Sequence, residues 1–356
     1  MRAGYGKTLR RLLGQGVTLR TVIDFGDLPV FEATTYPTVL VMRKRAPAEG
    51  HTLQALTVDD IAVVHRLADV VRERAWLQPQ VSLRPDGWTL VRAEILDLVE
   101  KLRATGRPLE EVVNGRFYRG VVTGLNQAFV IDEATRQRLI EEDPRSAEII
   151  KPWLRGRDVK RWRVEWAGVY VIFTYHGVDI DCYPAIRAYL EPFRERLERR
   201  ATSAHHAWYE LQQPQMGIYP EFEVPKIIYP DIAKRCEFAY DDQGRYGGNT
   251  IYFIPSDDLT LLGILNSQVV EFFYRQISSM IQQDYLRFFT QYLSQIPVPA
   301  VTPAQRTAIE ALVRKLLDAK GQGPQVAEWE RELNAVVYEV YGLGGEEVAI
   351  IESICS

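Results

Sequence analysis

Residues 256–299, SDDLTLLGILNSQVVEFFYRQISSMIQQDYLRFFTQYLSQIPVP, change character halfway along. The first half has helical ends and helical spacing. Ser256 is placed to N-cap it, and Asp257 and Asp258 put negative charge on the first turn, where the helix dipole favours it. Leu261, Leu262, Leu265, Val269, Phe272 and Phe273 recur at helical spacing and give one apolar face. Beyond Arg275 the pattern turns polar (Gln276, Ser278, Ser279, Gln282, Gln283, Asp284), then aromatic (Tyr285, Phe288, Phe289, Tyr292) with Arg287 inside the run. Pro297 and Pro299 force an extended exit. The physical reading is a buried helix that delivers a polar, Arg- and Gln-bearing loop to a surface.

Composition narrows what such a surface can meet. The 356 residues are 46% hydrophobic and 25% charged, ordinary for a globular protein of two or three domains. A net charge of -4 excludes a uniformly basic nucleic-acid binder, so any such partner must be met by a local patch. Cys182, Cys236 and Cys355 are far apart and form no C-x-x-C pair, which predicts a reduced, cytoplasmic protein without disulfides or a zinc ribbon. No apolar run approaches the roughly 20 residues that a membrane span needs.

Toward the N-terminus, 7–13 reads as a short amphipathic helix, with buried strands at 19–25 and 38–42. Two strands and a helix do not close a core, so this segment is expected to be the edge of a larger domain. Gly6-Lys7-Thr8 ends like a P-loop, but the motif's first glycine falls on Met1 and no strand precedes it. Residues 46–107 read as a connector with helices opening at Thr57–Asp60 and running over 92–103.

The strongest charge signal is AEIIKPWLRGRDVKRWR at 147–163. Lys151, Arg155, Arg157, Lys160, Arg161 and Arg163 stand against Glu148 and Asp158, with Trp153 and Trp162 interleaved. Lysine and arginine supply phosphate contacts and arginine also reads guanine, so this is the footprint of a nucleic-acid surface; the bland alternative is a solvated charged face. Asp179 and Asp181 share one face of an expected strand but lack a third ligand, and a solvent-facing strand edge is the better reading than a metal-dependent hydrolase. Adjacent His205 and His206 point apart and read as a loop pair. In 224–254, strands are expected at 227–229, 237–240 and 250–254. Pro230-Asp231 with Glu223 and Lys226 has the residue types of a nuclease site in the wrong order. Thr302-Pro303-Ala304-Gln305 is a capping box opening a C-terminal helix, and a second amphipathic helix spans 326–341.

Several of these segments resemble one family. LNSQVVEFFYRQIS…YLRFFTQYLSQIPVP, IIKPWLRGRDVKRW and KIIYPDIAKR are similar to segments of TaqI-like specificity domains and of type IIG restriction-modification proteins. MRAGYGKTLRRLL…VIDFGDLPVFEATTYPTVLVMRK resembles the end of their adenine-N6 methyltransferase domain, and ELNAVVYEVYGLGGEEVAIIES resembles their C-terminus, with Gly344 and Gly345 departing from the usual pair. The resemblance implies an α+β chain: the edge of a Rossmann-like methyltransferase sheet (1–45), a connector (46–107), a β-rich target-recognition domain (108–300) and a helical end (301–356). It implies sequence-specific recognition of duplex DNA in a type IIG or BREX-like phage-defence system. The expected DNA contacts are Lys151, Arg155, Arg157, Lys160, Arg161, Lys226, Arg235, Asn249, Gln283 and Arg287. S-adenosylmethionine is implied for the complete enzyme only, because no Asn-Pro-Pro triplet occurs in the sequence. By this reading the chain is a C-terminal piece without catalysis of its own. The rival reading is a docking subunit for a separate methyltransferase polypeptide, without DNA binding.

Overall fold

The computed structural model describes residues 6–32, 35–278, 280–281 and 285–355. It is a mixed α+β structure of several small sheets closed by C-terminal helices.

The N-terminal sheet has four strands, not two. Thr18–Asp24 lies between Thr38–Arg43, antiparallel, and Thr52–Thr57, parallel, and Trp76–Pro79 closes the far side. Two of its strands thus come from the stretch expected to be connector. Thr57–Asp60 ends a strand rather than opening a helix; the helix expected there is a 3-10 turn, Ile61–Arg66, followed by Leu67–Arg74. Leu19 and Val22 face the same cluster despite odd spacing because the register shifts between Leu19 and Thr21, and such a bulge flips the alternation. Buried Gln80 staples this unit: its Oε1 accepts from the Leu19 amide (2.9 Å) and its Nε2 donates to the carbonyls of Gly14 and Val17.

Two further four-stranded sheets build the middle of the chain. One is antiparallel throughout: Ala239–Asp241, Lys226–Pro230, Ile251–Pro255 and Tyr118–Arg119. The other orders Tyr246–Gly247, Ile150–Leu154, Val169–Ile172 and Val130–Asp132. Asp179 and Asp181 are not on a strand. Asp179 caps the turn Ile180–Cys182 and Asp181 pairs with Arg187, so both carboxylates have structural partners.

The helix expected from Ser256 is two helices, Leu259–Leu265 and Gln268–Ile277. Its cap is Asp258, whose Oδ1 accepts from the amides of Thr260 and Leu261, while Ser256 Oγ accepts from the Asp258 amide. The break sits at Asn266 and Ser267, both fully buried. The Asn266 side chain pairs with both backbone groups of Phe238, and Ser267 caps the second helix. The packing requires a glycine here: a Cβ on Gly263 would stand 2.7 Å from Ile309 Cγ2 and 2.9 Å from Val313 Cγ2. Those residues belong to Pro303–Asp318, which opens with the expected Thr302/Gln305 capping box and packs beside Val326–Val340.

Candidate nucleic-acid interface

A groove of about 780 Å³ opens where the two middle sheets meet. Arg155, Gly156, Arg157 and Lys160 line one side; Asp231, Lys234, Arg235, Glu237, Thr250 and Tyr285 line the other. Five cations face two carboxylates in a chain that is acidic overall.

The basic side is held by local chemistry. After the strand Ile150–Leu154 the chain turns through Gly156–Asp158. Asp158 is buried under this turn; its Oδ2 accepts from the Arg155 amide (2.8 Å), and both its oxygens accept from the Arg155 guanidinium. That contact raises the Arg155 pKa above the ordinary guanidinium value, so its charge is fixed. The Gly156 amide donates to Thr250 Oγ1 (2.9 Å), and a Cβ at Gly156 would meet the Thr250 carbonyl at 2.9 Å, so this approach needs glycine. Arg157 is exposed and Lys160 half-exposed, and neither forms an ion pair among the described residues.

On the facing side, Asp231 leaves the strand Lys226–Pro230. Its amide donates to the Thr250 carbonyl and its carbonyl accepts from the Phe288 amide, both at 2.9 Å. Its carboxylate Oδ1 is buried and has no hydrogen-bond partner among the described residues. Burial raises this carboxyl's pKa, with Arg287 and Arg119 opposing the shift from a distance. Glu237 is raised by the same cause, against Lys160, Arg235 and neighbouring arginines. Flat side chains are spread around these charges: Lys234 Nζ lies 5.3 Å from the Tyr285 ring centre, Arg287 lies over Phe289 and Arg119 over Tyr252.

The expected contacts divide. Arg155, Arg157, Lys160 and Arg235 come together in the groove. Arg287 lies on the neighbouring strand Tyr285–Arg287, and exposed Asn249 adjoins Thr250, its carbonyl accepting from Arg119 Nε. Lys151 is half-exposed but pairs with Glu223 at 3.0 Å. Gln283 lies outside the described residues. Two expectations are corrected. Lys226 is 1% exposed; its Nζ donates to Asp241 and to the Phe222 carbonyl, both at 2.6 Å, and faces the core. Arg161 is 8% exposed, ion-paired to Glu330 at 2.8 Å, and donates to the Asn266 carbonyl at 2.6 Å, locking the basic segment to the C-terminal helices. Both are structural because their charges are buried and held by partners within the protein. Asp231, Lys234, Arg119 and Thr250 were not among the expected contacts, although the Pro-Asp-x-x-Lys-Arg run at 230–235 marks a turn dense in charge.

Residues 151–298 match the TaqI-like C-terminal specificity domain. The chain is 26% identical over 374 aligned positions to the type II methyltransferase M.PaeR7I of Pseudomonas aeruginosa, an alignment that takes in 98% of this chain and 60% of that protein. It is 22% identical to the type II methyltransferase M.BstVI of Geobacillus stearothermophilus, across 98% of this chain and 63% of that one. The chain thus spans about three fifths of the length of the curated relatives it matches. Among solved structures, the type IIL restriction-modification enzyme MmeI, determined in complex with DNA, shares the fold with a TM-score of 0.59 at 13% identity, over 95% of this chain and 45% of that one.

Proposed function

We propose that this chain, whose residues 151–298 match the TaqI-like C-terminal specificity domain, is the part of a type II restriction-modification system that recognises a duplex DNA sequence for an adenine-N6 methyltransferase. The cationic groove between the two middle sheets is the observation that carries this reading. Arg157, Lys160, Lys234 and Arg235 supply phosphate contacts, which position the duplex without reading sequence. Reading needs groups that discriminate base edges. Asp231 is the best placed: it lines the groove half-buried, and a carboxylate accepts from the exocyclic amine of cytosine or adenine and rejects a carbonyl at the same place. The cost of holding that carboxylate half-buried is recovered when it meets such a donor.

Selection from a randomised duplex library tests this. Wild type is expected to enrich a motif, and Asp231→Asn to retain DNA while relaxing one position of it. Failure of wild type to retain any duplex at low salt overturns the recognition reading; an unchanged motif in Asp231→Asn overturns the role of Asp231 alone.

Methyl transfer is assigned to a part of the system outside these residues. No Asn-Pro-Pro triplet occurs in the sequence. The four-stranded N-terminal sheet is then the border of a Rossmann-like methyltransferase domain; because it runs on to Trp76–Pro79, the limit expected at 45 moves beyond that strand, and 107 and 300 are the other proposed domain limits. Purified protein is expected to transfer no labelled methyl group to DNA unaided.

One observation favours docking on a catalytic partner as well. Leu9 and Leu12 on the first helix, and Val39, Val41 and Met42 on the edge strand Thr38–Arg43, are exposed large apolar side chains. Co-purification of a methyltransferase polypeptide with no DNA retention would make docking the sole function. No helix among the described residues is long and apolar enough to cross a membrane.

A further inference from the structure

Away from the groove, two turns are drawn together by polar side chains that the recognition reading does not use. His176 follows the strand Val169–Ile172, and His206 and Glu210 follow the short helical turn Ser203–His205. The partner of His206 is not its neighbour His205. Its ring stacks on that of His176, centres 5.2 Å apart and planes 13° from parallel. The donor atoms that His176, His206 and Glu210 offer all lie within 4.8 Å of one another.

The hydrogen bonds fix which ring nitrogens are free. His176 Nε2 faces the Leu211 carbonyl at 2.8 Å, and His206 Nδ1 faces the Ala207 carbonyl at 3.0 Å. A carbonyl only accepts, so both of these nitrogens carry the proton, and each neutral ring keeps one lone pair, on His176 Nδ1 and His206 Nε2. Among the described residues, the Thr202 hydroxyl, 3.0 Å from His206 Nε2, is the one competitor for the second. A ring N–H given to a backbone carbonyl is the arrangement that orients histidines that ligate metals. Glu210 is buried; one oxygen accepts from the Gly177 amide (2.6 Å) and the other from the Ala207 amide (2.9 Å), which leaves each oxygen a second lone pair. Arg200, the nearby cation, directs its donors to the carbonyls of Leu197, Thr123 and Trp208 instead of pairing with this carboxylate.

We propose that His176, His206 and Glu210 form a binding site for one divalent transition-metal ion of the zinc type, which clips the turn at 176–177 to the segment 206–210. Two imidazoles and a carboxylate suit zinc and its neighbours, not calcium or magnesium, which favour all-oxygen sets. The role is structural: the ion neutralises a buried carboxylate and ties two loops of the second middle sheet.

The test titrates zinc into the untagged, chelator-treated 356-residue chain against a chromophoric chelator, with magnesium as control, and follows thermal unfolding in parallel. One equivalent is expected to bind with a rise in unfolding temperature, and magnesium to do neither. His176→Ala and His206→Ala are expected to weaken binding by roughly a hundredfold or more, since even removal of an orienting partner costs 10–100-fold. His205→Ala is expected to bind like wild type. The site is refuted if wild type takes up no zinc, if the His176 and His206 variants bind as tightly as wild type, or if His205→Ala loses binding equally. Each variant's far-UV spectrum separates lost binding from lost fold, and all three changed side chains lie outside the fully buried core.

Discussion

Lys226→Met separates a structural cation from a DNA contact. Lys226 Nζ and Arg245 Nη1 bind opposite oxygens of Asp241, at 2.6 and 2.5 Å, and Asp241 and Lys226 are both sealed from solvent. Desolvation lowers the Lys226 pKa from its ordinary value and Asp241 opposes the shift, so the ammonium depends on its partner. Methionine keeps the volume and removes the charge. Breaking a buried pair from one side costs about 3–5 kcal/mol, and because Arg245 still holds one oxygen the lower end applies here, about 3 kcal/mol. That is more than a hundredfold in the folding equilibrium and a large share of the ~5–15 kcal/mol that holds a typical domain. Denaturant unfolding followed by tryptophan fluorescence reads it, with DNA affinity measured well below the transition. Affinity is expected to stay within about twofold. The double variant Lys226→Met/Asp241→Asn is expected to recover none of the loss, because Arg245 then lacks the carboxylate that holds it. Stability unchanged to within about 0.5 kcal/mol together with a selective fall in DNA affinity would refute the burial argument and return Lys226 to the DNA surface.

Other expectations follow from the same contacts. Asp231→Asn is expected to stabilise the protein at neutral pH: burial raises this carboxyl's pKa, so the folded state is favoured below the unfolded value of about 3.9 and loses that advantage as pH rises through the folded one. The difference from wild type should therefore shrink below about pH 4; a constant difference across pH would show that the carboxyl's ionisation is not its source. Gly263→Val is expected to destabilise by about 1–3 kcal/mol through overpacking against Ile309 and Val313, and a neutral result would mean the helices separate freely there. Thr302→Ala is expected to cost about 1 kcal/mol by removing the capping box; no change in unfolding would show that the box is redundant.

What was legible in the sequence was local. The Thr302 capping box, the strands flanking Pro230 and the C-terminal amphipathic helices announce themselves through periodicity and turn chemistry. The strand Thr52–Thr57 did not: TLQALT alternates weakly, and it becomes a strand because it pairs with Thr18–Asp24 some thirty residues earlier. The division of the helix after Ser256 hid for a similar reason, since Asn266 is there to bind Phe238, which no helical pattern records. At the candidate site, residue type marked the basic stretch but not its geometry. Arg161 and Arg157 look alike in the sequence, yet Glu330 claims the first and leaves the second to solvent. Asp231 carries the opposite lesson: a lone acid among cations reads as noise until its buried, unpaired oxygen is seen.

Duplex-DNA affinity across a salt series, for wild type beside Arg157→Ala/Lys160→Ala, tests the central claim most directly. Each neutralised phosphate contributes about -0.9 to the slope of log K against log salt, so removing two contacts should flatten it by roughly 1.8 while the fold is unchanged. Equal slopes for the two proteins, or no binding at low salt, would contradict the account of this groove as a DNA-recognition surface.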